Sequence, residues 1–286
     1  MNRAFANRRS VAARLFGAIV ALMAGGIAAK AQGRLAAQYS IVMTGVTIGH
    51  VTWSVDIRAS GYTTVASGKA SGMLSMLVNG EGSVGTTGRV ENWRLQPGEF
   101  HSRIVDEDGD TNLQITFADG IAQVVATPPL KPTPDRLPVT DADRRGVADP
   151  LSAVLITAEP GESFFSPGNC NHILAIFDGR RRYNLVLSYV RVDKIELDKS
   201  YAGPVLVCGM ILQPIAGYRP DSLLVKYVAG RRDMELWLAP IAGTALMAPI
   251  RVAMPTMIGT LKIDADKFDT VAEPKPTPAT PTPPGH

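Results

Sequence analysis

The chain of 286 residues is 45% hydrophobic and 19% charged and has two cysteines, a composition that excludes a disordered chain and a disulfide-dense miniprotein. Five of its 29 basic residues lie within residues 1–31, which contain no acid, so the remaining 24 face 26 acidic residues, a net charge of −2. We expect the chain after residue 31 not to bind nucleic acid, because neutralising phosphates requires a basic surface.

The first 31 residues have the pattern of an export signal. Residues 1–14 are basic, residues 15–29 form an apolar run of 15 residues, and Ala29-Lys30-Ala31 gives a small-x-small cleavage site. This pattern predicts a signal peptide over residues 1–31 and a mature, periplasmic chain that begins at Gln32. The run is shorter than the roughly 20 residues that a spanning helix needs, so the mature protein is predicted not to span a membrane. An uncleaved anchor helix is the alternative.

The first half of the mature chain is rich in strand signals. Residues 51–57 alternate apolar and polar side chains, which is typical of a strand with one buried face. Asp-Gly pairs at residues 108–109 and 119–120 separate neighbouring runs and indicate tight hairpins, because glycine accepts the positive φ of such turns. These features predict an antiparallel meander with strands over residues 38–46, 50–57, 62–71, 99–106, 112–117 and 121–126.

A proline-rich segment divides this meander from a second one. Residues 128–139 contain five prolines and are expected to form a linker or crossing loop. Asp149-Pro150 then predicts the start of a short helix over residues 151–157. Residues 272–286, with six prolines, are predicted to be an extended tail. The second set of predicted strands covers residues 173–177, 183–192, 204–212, 222–227, 234–238, 250–254 and 257–263.

These elements predict a mainly β protein. We expect one domain over residues 32–271, built as a curved antiparallel sheet that forms an open barrel or spiral with one or two short helices. One short helix cannot cover the whole inner face of such a sheet. Part of that face is therefore expected to stay open as an apolar binding site.

Motifs for catalysis are weak in this sequence. Residues 80–85 match G-x-G-x-x-G, but no helix signal follows them, so these glycines are expected to let a strand bend. There is no G-x-S-x-G sequence, and the four histidines are scattered without metal-ligand spacing. We therefore predict no catalytic residues, no metal and no cofactor. A Ser-His-Asp site assembled in space is the alternative, since chain order does not determine such sites.

Two segments are candidate ligand-binding sites. One is the apolar stretch with Met73, Leu74, Met76 and Leu77, whose side chains adapt to varied apolar surfaces or simply belong to the core. The other is Arg180-Arg181-Arg182, which would bind a phosphate, a lipid headgroup or a carboxylate, or would protect a strand edge by its charge.

The two cysteines, Cys170 and Cys208, are expected to form a disulfide, because export delivers the chain to an oxidising compartment. A redox or metal-binding pair is the alternative.

One stretch resembles a known family. Cys170-Asn171-His172 followed by residues 176–185 (IFDGRRRYNL) is similar to the hallmark region of an exported bacterial family, domain of unknown function 3108, and the resemblance extends over residues 38–265. It implies a curved β protein of the cell envelope, a disulfide between Cys170 and Cys208, and no catalytic residues. We therefore expect a periplasmic protein that binds a lipid, a lipoprotein acyl chain or a peptide. The alternatives are an envelope hydrolase and a structural adaptor that binds the cell wall.

Overall fold

The computed structural model of the protein describes residues 32–70, 80–91, 93–106, 109–131 and 133–273. Its strands are Gly33–Met43 (β1), Val46–Ile57 (β2), Gly61–Ala70 (β3), Glu81–Glu91 (β4), Arg94–Asp106 (β5), Gly109–Ala118 (β6), Ile121–Thr127 (β7), Ile156–Thr157 (β8), Ile173–Phe177 (β9), Arg182–Glu196 (β10), Ala202–Ala216 (β11), Met234–Pro240 (β12), Leu246–Thr256 (β13) and Gly259–Ala272 (β14), and they form one sheet. The order across the sheet is β7-β6-β5-β4-β3-β2-β1-β14-β13-β12-β11-β10-β9, all antiparallel, with β8 paired to β13. The first strand, β1, thus pairs with β2 on one side and with the last strand, β14, on the other.

The sheet curls into a nearly closed barrel with one seam, between its edge strands β7 and β9. The segment after the proline-rich loop bridges this seam. Arg145 pairs with Ile121 of β7, and Ala148 pairs with Ile176 of β9. The Phe177 N–H donates to the Ala148 carbonyl at 2.9 Å, so backbone hydrogen bonds protect both edges. The predicted mainly β, barrel-like fold is confirmed.

The core follows from the alternation of side chains along the strands. Leu35, Ala37 and Tyr39 of β1 are buried, and the residues between them are exposed. Strand β12 is buried on both faces, because Trp237 and Ala239 belong to one apolar cluster while its neighbouring leucines belong to a second. The inward side chains of β1 and β12 are thus closely packed. An open apolar area elsewhere on the inner face stays a prediction.

Two short helices, α1 (Pro150–Ala153) and α2 (Leu223–Gly230), complete the described fold with 3-10 turns at Ala142–Arg144 and Pro167–Cys170. Helix α1 is shorter than the predicted helix over residues 151–157, because the chain turns after Val154 and pairs with β13 as β8. None of the helices in the described ranges has the length and apolar character needed to cross a bilayer.

The strand predicted over residues 222–227 is wrong, since these residues begin α2. The Ser222 side chain accepts a hydrogen bond from the Val225 N–H at 3.4 Å and so caps the helix. As expected, no helix follows the glycines at residues 80–85: β4 begins at Glu81, and the strand β5 comes next. That these glycines let the strand bend stays a prediction. Strand β14 extends to Ala272, the predicted first residue of the tail.

Candidate functional site

A cationic pocket lies at the seam of the barrel. It has a volume of about 490 Å³, which is within the roughly 300–1,000 Å³ typical of small-molecule sites. Four basic side chains line it, together with apolar residues of the proline-rich loop and β9, and we call it the seam pocket. Its four basic residues are Lys131, Arg136, Arg144 and Arg180.

Three chain segments that are distant in sequence position these cations. The proline-rich loop carries Lys131 and Arg136, and it is tied to the segment after β11 by hydrogen bonds of 2.9 Å between Leu137 and the backbone of residues 217–218. Gly217 has a φ of +81°, and a Cβ there would lie 2.1 Å from the Arg180 carbonyl oxygen. Only glycine permits this close approach, which brings the β9–β10 turn against the segment after β11, the same segment that holds the proline-rich loop.

Two of the arginines have unsatisfied donors. The Nε atoms of Arg136 and Arg144 are buried, and neither has a hydrogen-bond partner among the described residues. A buried donor without a partner costs about 1–3 kcal/mol, and more when it is charged. Both residues line the seam pocket, so an anion is the kind of ligand whose oxygens could accept from these donors.

The carboxylates nearest to these cations in the chain have other partners. Asp135 forms an ion pair with Arg219, and Asp143 accepts hydrogen bonds from the backbone and hydroxyl of Thr140 at 2.8 and 2.7 Å. These hydrogen bonds lower the pKa of Asp143 below its ordinary value. In the described part of the chain, none of the four pocket cations forms an ion pair with a carboxylate.

The structure separates the three arginines of the predicted site. Arg180 lines the seam pocket. Arg181 stacks over the Tyr218 ring at 5.9 Å and lies 3.8 Å from a carboxylate oxygen of Asp178. Arg182 turns back along β10, where its Nη1 donates to the Tyr183 carbonyl at 2.6 Å, and burial lowers its pKa.

Asp178 organises the turn that carries these arginines. Its Oδ1 accepts hydrogen bonds from the backbone N–H groups of Arg180 and Arg181 at 2.9 and 2.7 Å. Burial, followed by the nearby Asp178 charge, raises the pKa of the Tyr218 hydroxyl to about 12, so this ring stays neutral at physiological pH. The other predicted site residues, Met73, Leu74, Met76 and Leu77, lie outside the described residues.

The sequence reasoning missed Lys131, Arg136 and Arg144. All three lie in or just after a segment interpreted only as a linker, because its prolines exclude a central strand. The available signal was the interleaving of basic side chains with prolines over residues 128–145.

A second groove, of about 380 Å³, lies on the outer face of β2–β5 and contains His50, Lys69, Glu81 and Arg103. It is less suited to an anion, because Glu81 contributes negative charge and Arg103 already binds Asp110 at 2.7 Å. No group of three or more potential metal ligands occurs in the described ranges.

Beside this groove, a serine, a histidine and an aspartate come together. Ser40 Oγ donates to Asp266 Oδ2 at 2.7 Å and lies 3.4 Å from His50 Nδ1. In a hydrolase relay the carboxylate orients the histidine, and the histidine activates the serine. Here the carboxylate binds the serine itself and all three residues lie on the outer face, so the arrangement does not match that relay.

Cys170 and Cys208 form the predicted disulfide, with Cα atoms 5.5 Å apart. Both cysteines are fully buried in the second apolar cluster, where the 3-10 turn over Pro167–Cys170 packs against β11. The bond is therefore a structural element of the core rather than an exposed redox pair.

Fold and site together define a barrel-like β protein with a cationic pocket at its seam. The family model described as a protein of unknown function, DUF3108, matches residues 38–266, and the chain belongs to this family. A comparison with curated proteins gives no match.

Two solved structures are similar to the described fold. A beta-barrel-like protein of domain of unknown function DUF1849 from Brucella abortus aligns with a TM-score of 0.48 and 13% identity, covering 85% of this chain and 98% of that one. A "putative lipoprotein" from Parabacteroides distasonis aligns with a TM-score of 0.35 and 10% identity, covering 84% of this chain and 96% of that one.

Proposed function

We propose that this protein is a non-catalytic periplasmic protein of the cell envelope that binds a lipid or a lipoprotein acyl chain through an anionic headgroup in the seam pocket. The observation that carries the proposal is the pair of buried Nε donors of Arg136 and Arg144, which lack partners among the described residues. Arginine forks match the oxygens of phosphates and carboxylates, so either group would suit these donors.

The lining of the pocket also supports a ligand with an apolar part. Leu130, Pro138 and Val139 lie beside the cations, and Phe177 forms part of the buried cluster below them. An anionic amphiphile would place its headgroup on the arginines and the first methylenes of its chain along this wall. Each buried methylene contributes about 0.8 kcal/mol.

The first test is calorimetric titration of the protein with octyl phosphate, octyl glucoside and inorganic phosphate. We expect octyl phosphate to bind most tightly, because it alone offers both a charge and a chain. Arg136→Gln and Arg144→Gln should each weaken octyl phosphate roughly ten- to hundredfold, the range expected when a charged hydrogen bond is lost.

Arg89→Gln is the matched control. Arg89 is exposed on β4, lies outside the seam pocket and pairs with Glu91 at 3.2 Å, so its substitution should leave the affinity unchanged. Equal binding of octyl phosphate by the wild type and both pocket variants would overturn the proposal. Tight binding of inorganic phosphate alone would identify a simple anion site and remove the lipid from it.

Export is a separate part of the proposal with its own measurement. Cleavage after Ala31 should give a mature chain that begins at Gln32. Intact-mass analysis of the protein from a periplasmic fraction is expected to show the mass of residues 32–286. A periplasmic species that retains Met1 would instead support an uncleaved N-terminal anchor.

A further inference from the structure

One end of the barrel exposes five large apolar side chains. They lie on the β1–β2 hairpin, on the β13–β14 hairpin and on helix α2, and each is more than half exposed. Ile258 is 77% exposed and Leu223 is 73% exposed, values that a folded protein normally avoids for clustered large apolar residues. We call this group the apolar tip; its members are Val46, Leu223, Leu224, Met257 and Ile258.

Hydrogen bonds hold the three elements of the apolar tip together. The Thr44 N–H donates to the Thr260 carbonyl at 3.1 Å, which joins the two hairpins. The Tyr227 hydroxyl donates to the Thr256 carbonyl at 3.1 Å, which joins α2 to the second hairpin. Leu223 and Leu224 precede Tyr227 by four and three residues, so they share its side of the helix.

The segment around α2 carries a net positive charge. Over residues 221–233 the basic side chains are Lys226, Arg231 and Arg232 and the acidic ones are Asp221 and Asp233, a net charge of +1. Lys226 and Arg232 form no ion pair with a described carboxylate, whereas Asp233 is paired with Arg231. The seam pocket lies at this end of the barrel too, because residues of the β9–β10 turn and Gly217 line it. Cations beside exposed apolar side chains are complementary to an anionic lipid surface.

From this combination we infer that the apolar tip is a membrane-docking surface that inserts into the interfacial region, just below the headgroups, of an anionic phospholipid bilayer. The shape of the tip favours a bilayer over a protein segment. Its residues lie at two hairpins and on the first turn of α2, and all five are more than half exposed, so they offer separate apolar side chains that can enter a soft apolar phase. Docking in this way would bring the seam pocket to the headgroup layer. Only that last step rests on the proposed function.

Flotation with vesicles tests the inference. The mature protein should float with vesicles of equal parts phosphatidylglycerol and phosphatidylcholine, and much less with pure phosphatidylcholine or at high salt. The variants Met257→Ser/Ile258→Ser and Leu223→Ser/Leu224→Ser should each reduce the partition coefficient at least tenfold. All four side chains are exposed, so both variants should keep the wild-type thermal midpoint.

Ile173→Ser is the matched control, because Ile173 is an isoleucine that is 67% exposed on β9, where it pairs with Val186 of β10, away from the three elements of the tip. It should float like the wild type. A wild type that does not float, or tip variants that float as well as it does, would overturn the inference. So would a wild-type dimer in sedimentation that the tip substitutions abolish, because the tip would then be a contact between copies.

The two proposals fail separately in these assays. If octyl phosphate still binds in solution but vesicles do not retain the protein, the docking surface is refuted and the headgroup pocket stands. If vesicles retain the protein but the pocket variants bind octyl phosphate normally, the headgroup pocket is refuted and the docking surface stands.

Discussion

Removing the disulfide should be among the most destabilising single changes in this protein. Cys170→Ala, Cys208→Ala and the double variant are each expected to lose about 4 kcal/mol of unfolding free energy, because the bond closes a loop of 38 residues. For a chain of this size, that corresponds to a fall in the thermal midpoint of roughly 10 °C. Both cysteines are fully buried, and alanine leaves little new polar surface in the core.

Three comparisons make this result specific. The single variants and the double variant should unfold at similar temperatures, because each opens the same loop. Reductant should lower the midpoint of the wild type towards theirs and leave the double variant unchanged. A double variant much less stable than either single variant would mean that the two cysteines contribute independently and are not bonded to each other.

The elements that could be predicted from sequence are those that local chemistry determines. Asp119-Gly120 turns with a positive φ at both residues, and the strands on either side pair as expected. Helix α2 was mistaken for a strand because residues 222–227 are β-branched and apolar in part. Its true signals were the Ser222 cap and apolar residues spaced by three and four positions.

The site could be predicted only in part, because its residues meet through the fold. Arg180 was identified from the density of charge around it, and the structure separates it from Arg181 and Arg182 by the geometry of a single turn. Arg136 and Arg144 come to the same pocket only because the proline-rich loop is tied to the backbone after β11. No local pattern specifies such a long-range contact.

Asp149 should be the polar side chain whose loss is most damaging. It is fully buried, and its Oδ1 accepts hydrogen bonds from the Leu151 and Ser152 N–H groups at 3.0 Å and from the Thr86 hydroxyl at 2.7 Å. The carboxylate therefore caps α1 and ties it to β4 inside the barrel. Ser152 continues the network to the Tyr62 hydroxyl at 2.6 Å, and burial raises the pKa of Tyr62, which keeps that hydroxyl protonated.

Asp149→Ala removes the acceptor and leaves three buried donors without it, so we expect a loss of about 3 kcal/mol, the combined effect of a lost helix cap and an unsatisfied hydroxyl. Asp149→Asn keeps an oxygen in the Oδ1 position, and because Oδ2 has no described partner to lose, this variant should retain most of the stability. Thr86→Val should fall between them, since it removes one donor and preserves the cap. Chemical denaturation of the three variants measures the order. If asparagine were as damaging as alanine, the negative charge rather than the acceptor at Oδ1 would be what holds α1 inside the barrel.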